Sequence, residues 1–360
     1  MAALPRLASV DVVRGFAIVA MIVAHTAYLT AGTAGRPVAF AQFVLNSVAS
    51  PLFALVMGIS LGIMAAARGG RPGHGGPAFV RQMVIRAAIL IALGLLLRAV
   101  PAGVVIVLDY LGIALLISLL FVFLPTRWLV PAIAVLGAAG PFVNGWGRGL
   151  VGRSYAFVDP AHPASYLLDW TLTGHAYRAT ELVPLMLLGV LFARIGPTRR
   201  GLAPVALGTG IVLAALGAVV RRYVYDGHIL SGSFPDLAWD TGLVLIAFGG
   251  ITLLLTTDRP RIRRASTALC VPLRETGMLS LTIYVLHVLI LGGYRTWFVE
   301  PSIPVAWVLT SALVVGCVIF AHLWLRFIGE GPVERLTGLL TGRRSWAQVA
   351  SVRGYSRLPG

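Results

Sequence analysis

The chain has 360 residues, of which 58% are hydrophobic and 12% charged, with a formal net charge of +16 and a mean hydropathy of +0.88. A soluble domain carries about 25% charged residues, so the composition excludes a water-soluble fold and leaves no room for a large soluble domain. Every basic residue is arginine; in a soluble chain that excess would suggest nucleic acid, but between apolar segments it reads as loop charge and contact with anionic headgroups, so membrane lipids and no nucleic acid are the expected partners.

Ten apolar segments are predicted as membrane-spanning helices, an all-α polytopic bundle. In order they cover about 12–33, 40–66, 83–100, 103–123, 128–145, 181–195, 203–221, 238–257, 276–293 and 302–326. The connection 146–180 is long, and its Ser165–Trp170 stretch is amphipathic enough for an interfacial helix. With the N-terminus on the cytoplasmic side, one set of loops holds Arg127, Arg194, Arg199, Arg200, Arg259, Arg261, Arg263, Arg264 and Arg274 among others. The opposite set holds fewer, mainly Arg36, Arg148, Arg153, Arg178 and Arg295. By the positive-inside rule both termini are then cytoplasmic, in agreement with an even span count. Residues 1–330 are read as a single transmembrane domain, with a motif-bearing helix pair over 1–66 and C-terminal helices over 180–335, followed by a mobile basic cytoplasmic tail over 331–360. Cys270 and Cys317 offer neither a metal-ligand spacing nor a disulfide framework, and no metal is expected.

The chemistry-bearing residues cluster in the first span. Arg14 and His25 are eleven residues apart, about three helical turns plus 20°, so they share a face at separate depths, roughly 16 Å apart along the axis. Ionisable residues inside a bilayer are costly unless they line a cavity. Read functionally, Arg14 meets an anionic group entering from the cytoplasm and His25 accepts a proton farther out. Read blandly, Arg14 snorkels to the headgroups and His25 makes an interhelical hydrogen bond. Asp11 is three residues before Arg14, placed to pair with it or to sit at the positive end of the helix.

In the second span Asn46 and Ser50 are four residues apart, on one face at about the depth of His25, with Pro51 freeing a carbonyl there. They could hold His25 or an acceptor in place, or tie helices together. Gly58 and Gly62 form a small-xxx-small pair suited to helix packing. Asp109, about six residues into the fourth span, could orient a histidine, hold a cationic acceptor or pair with Arg98. In the ninth span Tyr284 and His287 are one turn apart, and that span runs outward, so His287 is expected near the depth of His25, where two histidines could share acid and base roles. His175, Arg178, Glu181 and Asp240 lie near outer membrane edges and could shape an acceptor's mouth or be solvated helix ends, while His322 lies toward the inner side of the last span.

Two sets of residues carry a family resemblance. The arginine, ten residues, histidine pattern of Arg14 and His25 is similar to that of the acyltransferase-three membrane enzymes, and Arg6-Leu-Ala-Ser-Val-Asp11-Val-Val-Arg14-Gly15, with Met21 and His25, resembles heparan-α-glucosaminide N-acetyltransferase-like proteins. Ser50-Pro51-Leu-Phe53 and Met57-Gly58 extend the likeness through the second span, to about residue 65. Glu275 to His287 and Gly331-Pro332-Val-Glu334 resemble domain of unknown function 418, which implies no chemistry by itself.

The first likeness implies a transmembrane acyltransferase of a bacterial cytoplasmic membrane. It would take acyl-CoA, acetyl-CoA first, as donor substrate and a hydroxyl or amine of a sugar or lipid-linked glycan as acceptor on the outer side. The expected roles are His25 as general base, helped by Asp109 and His287; Arg14 and Asp11 at the donor; and Asn46, Ser50 and Tyr284 at the acceptor. Homo-oligomerisation is left open. The contrasting expectation is a transporter of a small anionic or lipidic metabolite, which intramembrane Arg, His and Asp would serve equally; the absence of visible inverted repeats speaks against it.

Overall fold

A computed structural model describes residues 7–67, 76–151, 163–225, 231–297 and 303–342. Among them the secondary structure is helical throughout: α1 (Ala8–Thr26) with a 3₁₀ turn (Ala27–Thr30), α2 (Arg36–Ala67), α3 (Gly76–Arg98), α4 (Leu108–Leu119), α5 (Thr126–Val151), α6 (Pro163–Leu168) with a π-helical turn (Asp169–Thr173), α7 (Ala179–Ile195), α8 (Leu202–Val224), α9 (Phe234–Thr256), α10 (Pro260–Leu269), α11 (Val271–Met278), α12 (Ser280–Trp297), α13 (Ile303–Phe327) and α14 (Pro332–Leu340). The protein is an all-α polytopic membrane protein.

A helix stands at each of the ten apolar segments, but length separates them. Among the described residues, seven are long and apolar enough to cross a membrane, or eight if α11 and α12, bent by 84° to each other, form one span. With 12 residues in α4 and 17 in α7, these two rise only about 18 and 26 Å against a hydrocarbon core of about 30 Å. The ninth segment is therefore not the continuous helix expected over 276–293. It breaks at Leu279, where a new helix starts with free amides that need acceptors. Glu334 supplies them: its Oε1 accepts from the backbone N–H of Leu281 (2.8 Å) and Thr282 (3.1 Å), and its Oε2 accepts from the Thr282 hydroxyl. A carboxylate at a helix N-terminus is also favoured by the helix dipole. The residues expected to open a mobile tail thus begin with a docked helix, α14; residues 343–360 of that tail lie outside the described set.

The chain divides into two compact units: residues 1–50, 96–105 and 251–360 in one, 51–95 and 106–250 in the other. In the first unit α1 packs against α11, with α12 and α13 alongside. The crossing of α1 and α11 is backbone on backbone. A Cβ on Gly15 would overlap the Leu273 carbonyl oxygen, and one on Gly277 would overlap the Asp11 carbonyl oxygen. Small residues let membrane helices approach this closely, where dispersion and weak polar contacts replace the hydrophobic drive that lipid cannot supply. In the second unit α7 packs on α4 and α5, and Gly58 and Gly62 of α2 meet Met186 and Ala193 of α7 in the same way, the packing role their spacing suggested.

Candidate active site

The site grows out of the first unit. The Gly15 and Gly277 contact pins one end of α1 to α11, and the turn at Leu279 sets α12 running the same way as α1. Ten residues beyond each glycine come His25 and His287. Their rings stack, 25° between planes and 5.1 Å between centroids, and His25 Nδ1 lies 2.9 Å from His287 Nε2. His287 is fully buried and His25 is 6% exposed. Tyr284, one turn before His287, sets its ring edge-on to both, 5.2 Å from His287 and 6.3 Å from His25.

The hydrogen bonds give the pair a direction. His287 Nδ1 is 3.1 Å from the Ile283 carbonyl oxygen, which can only accept. In a neutral ring the proton of His287 is therefore on Nδ1, and its Nε2 carries the lone pair. His25 must then donate from Nδ1, which leaves His25 Nε2 as the unprotonated nitrogen. That atom is buried and makes no hydrogen bond. The Val105 carbonyl faces the His25 ring. One backbone carbonyl thus orients a chain of two imidazoles that ends in a bare basic nitrogen, the arrangement a general base needs: the base ring held in one tautomer by a second group behind it.

The profile of the acyltransferase-3 family, an acyltransferase domain, matches residues 7–323. The chain belongs to the acyltransferase-3 family. No curated protein matches it significantly. The family match runs through both stretches that carried separate resemblances, the first helix pair and the Glu275–His287 region, while Gly331–Glu334 lies beyond it. The protein is accordingly a multi-pass membrane acyltransferase.

Arg14 is at the other end of α1. Its Nη1 donates to Asp11 Oδ1 at 2.9 Å, the i, i+3 pair expected from spacing, and its side chain is 24% exposed. Asp11 Oδ2 is buried with no hydrogen bond. Ser50 is fully buried and its hydroxyl is also without a hydrogen bond, but Asn46 is exposed. The two therefore do not form the single inward polar face read from their spacing: α2 is turned so that only Ser50 points into protein.

Asp109 belongs to the second unit, not to the histidine pair's unit. It is buried and accepts from Trp170 Nε1 at 2.8 Å, while the neighbouring Tyr110 hydroxyl donates to Asp169 at 2.5 Å. The indole contact ties α4 to the π-helical turn. Arg178, expected near a solvated edge, is almost fully buried and donates to Glu181 (2.7 Å), Ser231 Oγ (2.9 Å) and the carbonyls of Gly174 and His175. It fastens the loop before α7 to the start of α9. His322 pairs with Glu275 at 2.9 Å on the half-exposed side of α13.

Sequence reasoning missed three contributors to the site: the Ile283 carbonyl that sets the tautomer, the Val105 carbonyl and the Gly15–Gly277 crossing. The first had a signal, since a histidine four residues after a helical carbonyl can always bond back to it. The other two join segments about 80 and 260 residues apart and had none.

Proposed function

We propose that the protein moves an acyl group, acetyl first among candidates, from cytoplasmic acyl-CoA to a hydroxyl or amine of a sugar or lipid-linked acceptor at the outer side. The observation that carries this reading is the directed hydrogen-bond chain from the Ile283 carbonyl through His287 to the bare Nε2 of His25. His25 Nε2 takes the acceptor's proton as the acceptor oxygen or nitrogen attacks the thioester carbonyl. As the carbon–sulfur bond breaks, the same proton passes from Nε2 to the leaving thiolate, giving CoA thiol and the acylated acceptor. His287 is the positioning residue: its Nε2 lone pair accepts from His25 Nδ1–H throughout and stabilises the imidazolium that forms between the two steps. Tyr284 fixes the plane of both rings. Arg14, oriented by Asp11, receives the donor's phosphates about 16 Å from His25 along α1, and Ser50 contributes a buried hydroxyl on the acceptor side.

The test is turnover of acetyl-CoA by full-length protein in lipid nanodiscs, read as CoA thiol release and acylated product by mass. His25→Ala is expected to lose on the order of 10²–10⁴-fold in rate, the range of a general base, with unchanged expression and helicity. Full activity in that variant refutes the assignment.

A further inference from the structure

Beyond the histidine pair, the same two helices carry a second constellation that the reaction above does not use. Tyr28 follows His25 by three residues, on the 3₁₀ turn that extends α1. Arg295 follows His287 by eight residues on α12, about 12 Å farther along the axis. The Arg295 guanidinium lies over the Tyr28 ring, 5.5 Å from its centroid. Gly103, at φ +69°, lies against it, and a Cβ there would overlap Arg295 Nη1. The Tyr28 hydroxyl in turn donates to the Ala102 carbonyl at 3.3 Å. The segment from Ala102 to Val105 therefore runs from this arginine down to the carbonyl that faces His25.

The guanidinium is held but not neutralised. Arg295 is exposed and makes neither an ion pair nor a hydrogen bond among the described residues. A surface arginine that only snorkels needs no cradle; this one has an aromatic platform beneath it and a glycine that clears its nitrogen. A planar fork stacked on an aromatic ring loses little further freedom when it binds and keeps its edge donors for a carboxylate or phosphate. We infer that Tyr28, Gly103 and Arg295 form an anion-recognition subsite at the acceptor's entrance, selecting an acceptor that carries a phosphate or carboxylate close to the group acylated. This rests on His25 being the base, since it is the position one turn beyond that ring that makes the subsite an acceptor's and not a free anion site.

The experiment uses full-length protein in nanodiscs of zwitterionic phosphatidylcholine, with glucose 1-phosphate and glucose as paired probes in calorimetric titrations. Wild type is expected to bind the phosphorylated sugar at least tenfold tighter than the neutral one. Arg295→Gln should bring that ratio toward one, Arg295→Lys should fall between, and Tyr28→Leu, which removes the platform but not the charge, should also lower it. Equal binding of the two sugars by wild type, or an unchanged ratio in Arg295→Gln, overturns the proposal. So does displacement of the phosphorylated sugar when phosphatidylglycerol replaces part of the lipid, since the site would then serve headgroups. His25→Ala separates the two readings: it should keep the binding ratio while losing turnover, and full turnover in that variant removes the base assignment without touching the binding result.

Discussion

Replacing His287 by leucine tests the tautomer argument directly, because it keeps the bulk of the side chain and deletes the one acceptor for His25 Nδ1–H. Two outcomes for the His25 ring follow from the geometry. If it keeps its tautomer, a buried N–H is left unsatisfied at about 1–3 kcal/mol, and at about 1.36 kcal/mol per tenfold this is roughly 5- to 160-fold in rate. If the proton moves to Nε2 instead, the lone pair turns toward the leucine and the loss approaches the full 10²–10⁴-fold or so of a general base. His287→Gln is the matched control, since its Oε1 can take the place of the imidazole Nε2 as an acceptor; it is expected to stay within about tenfold of wild type, less than the loss from an unpaired donor. The assay is kcat and KM for acetyl-CoA in nanodiscs, with expected changes in kcat and little in KM. Wild-type kcat in the leucine variant, or glutamine performing no better than leucine, would show that His25 does not depend on the ring behind it.

Three further outcomes follow from the structure. Gly15→Ala or Gly277→Ala places a Cβ on facing backbone, and the forced separation of α1 from α11 should cost about 1–3 kcal/mol or more; a lower thermal midpoint in detergent, together with lower kcat from the shifted histidine pair, is expected, and an unchanged midpoint would mean that the helices do not cross there. Glu334→Gln weakens the charged cap on α12 and should destabilise by about 0.5–2 kcal/mol, read as the same midpoint; no change would remove α14 as a structural clasp. Arg14→Ala should raise KM for acetyl-CoA about tenfold or more with a smaller change in kcat, as loss of a charge-assisted phosphate contact of about 1.5–3 kcal/mol predicts; an unchanged KM takes Arg14 out of the donor site.

Much of the fold was written in local pattern. Ten apolar segments became helices at the expected places because hydropathy and helical backbone bonding are properties of a short stretch of chain in lipid. The same holds for the Arg14–Asp11 pair, one turn apart on α1, and for the Gly58 and Gly62 face of α2. The break at Leu279 was not legible, since it depends on Glu334 arriving from 53 residues later to accept amides that a continuous helix would have bonded internally.

The candidate site divides the same way. Arg14, His25 and His287 stand out singly because an ionisable group in an apolar run is conspicuous wherever it occurs. What the two histidines face was decided by the crossing of α1 with α11 and by the direction of α12. That crossing brought His25 to His287 and Tyr28 to Arg295. Sequence spacing reports which side of a helix a residue occupies; only the packing of one backbone against another determines which nitrogen a proton rests on and which lone pair is left bare.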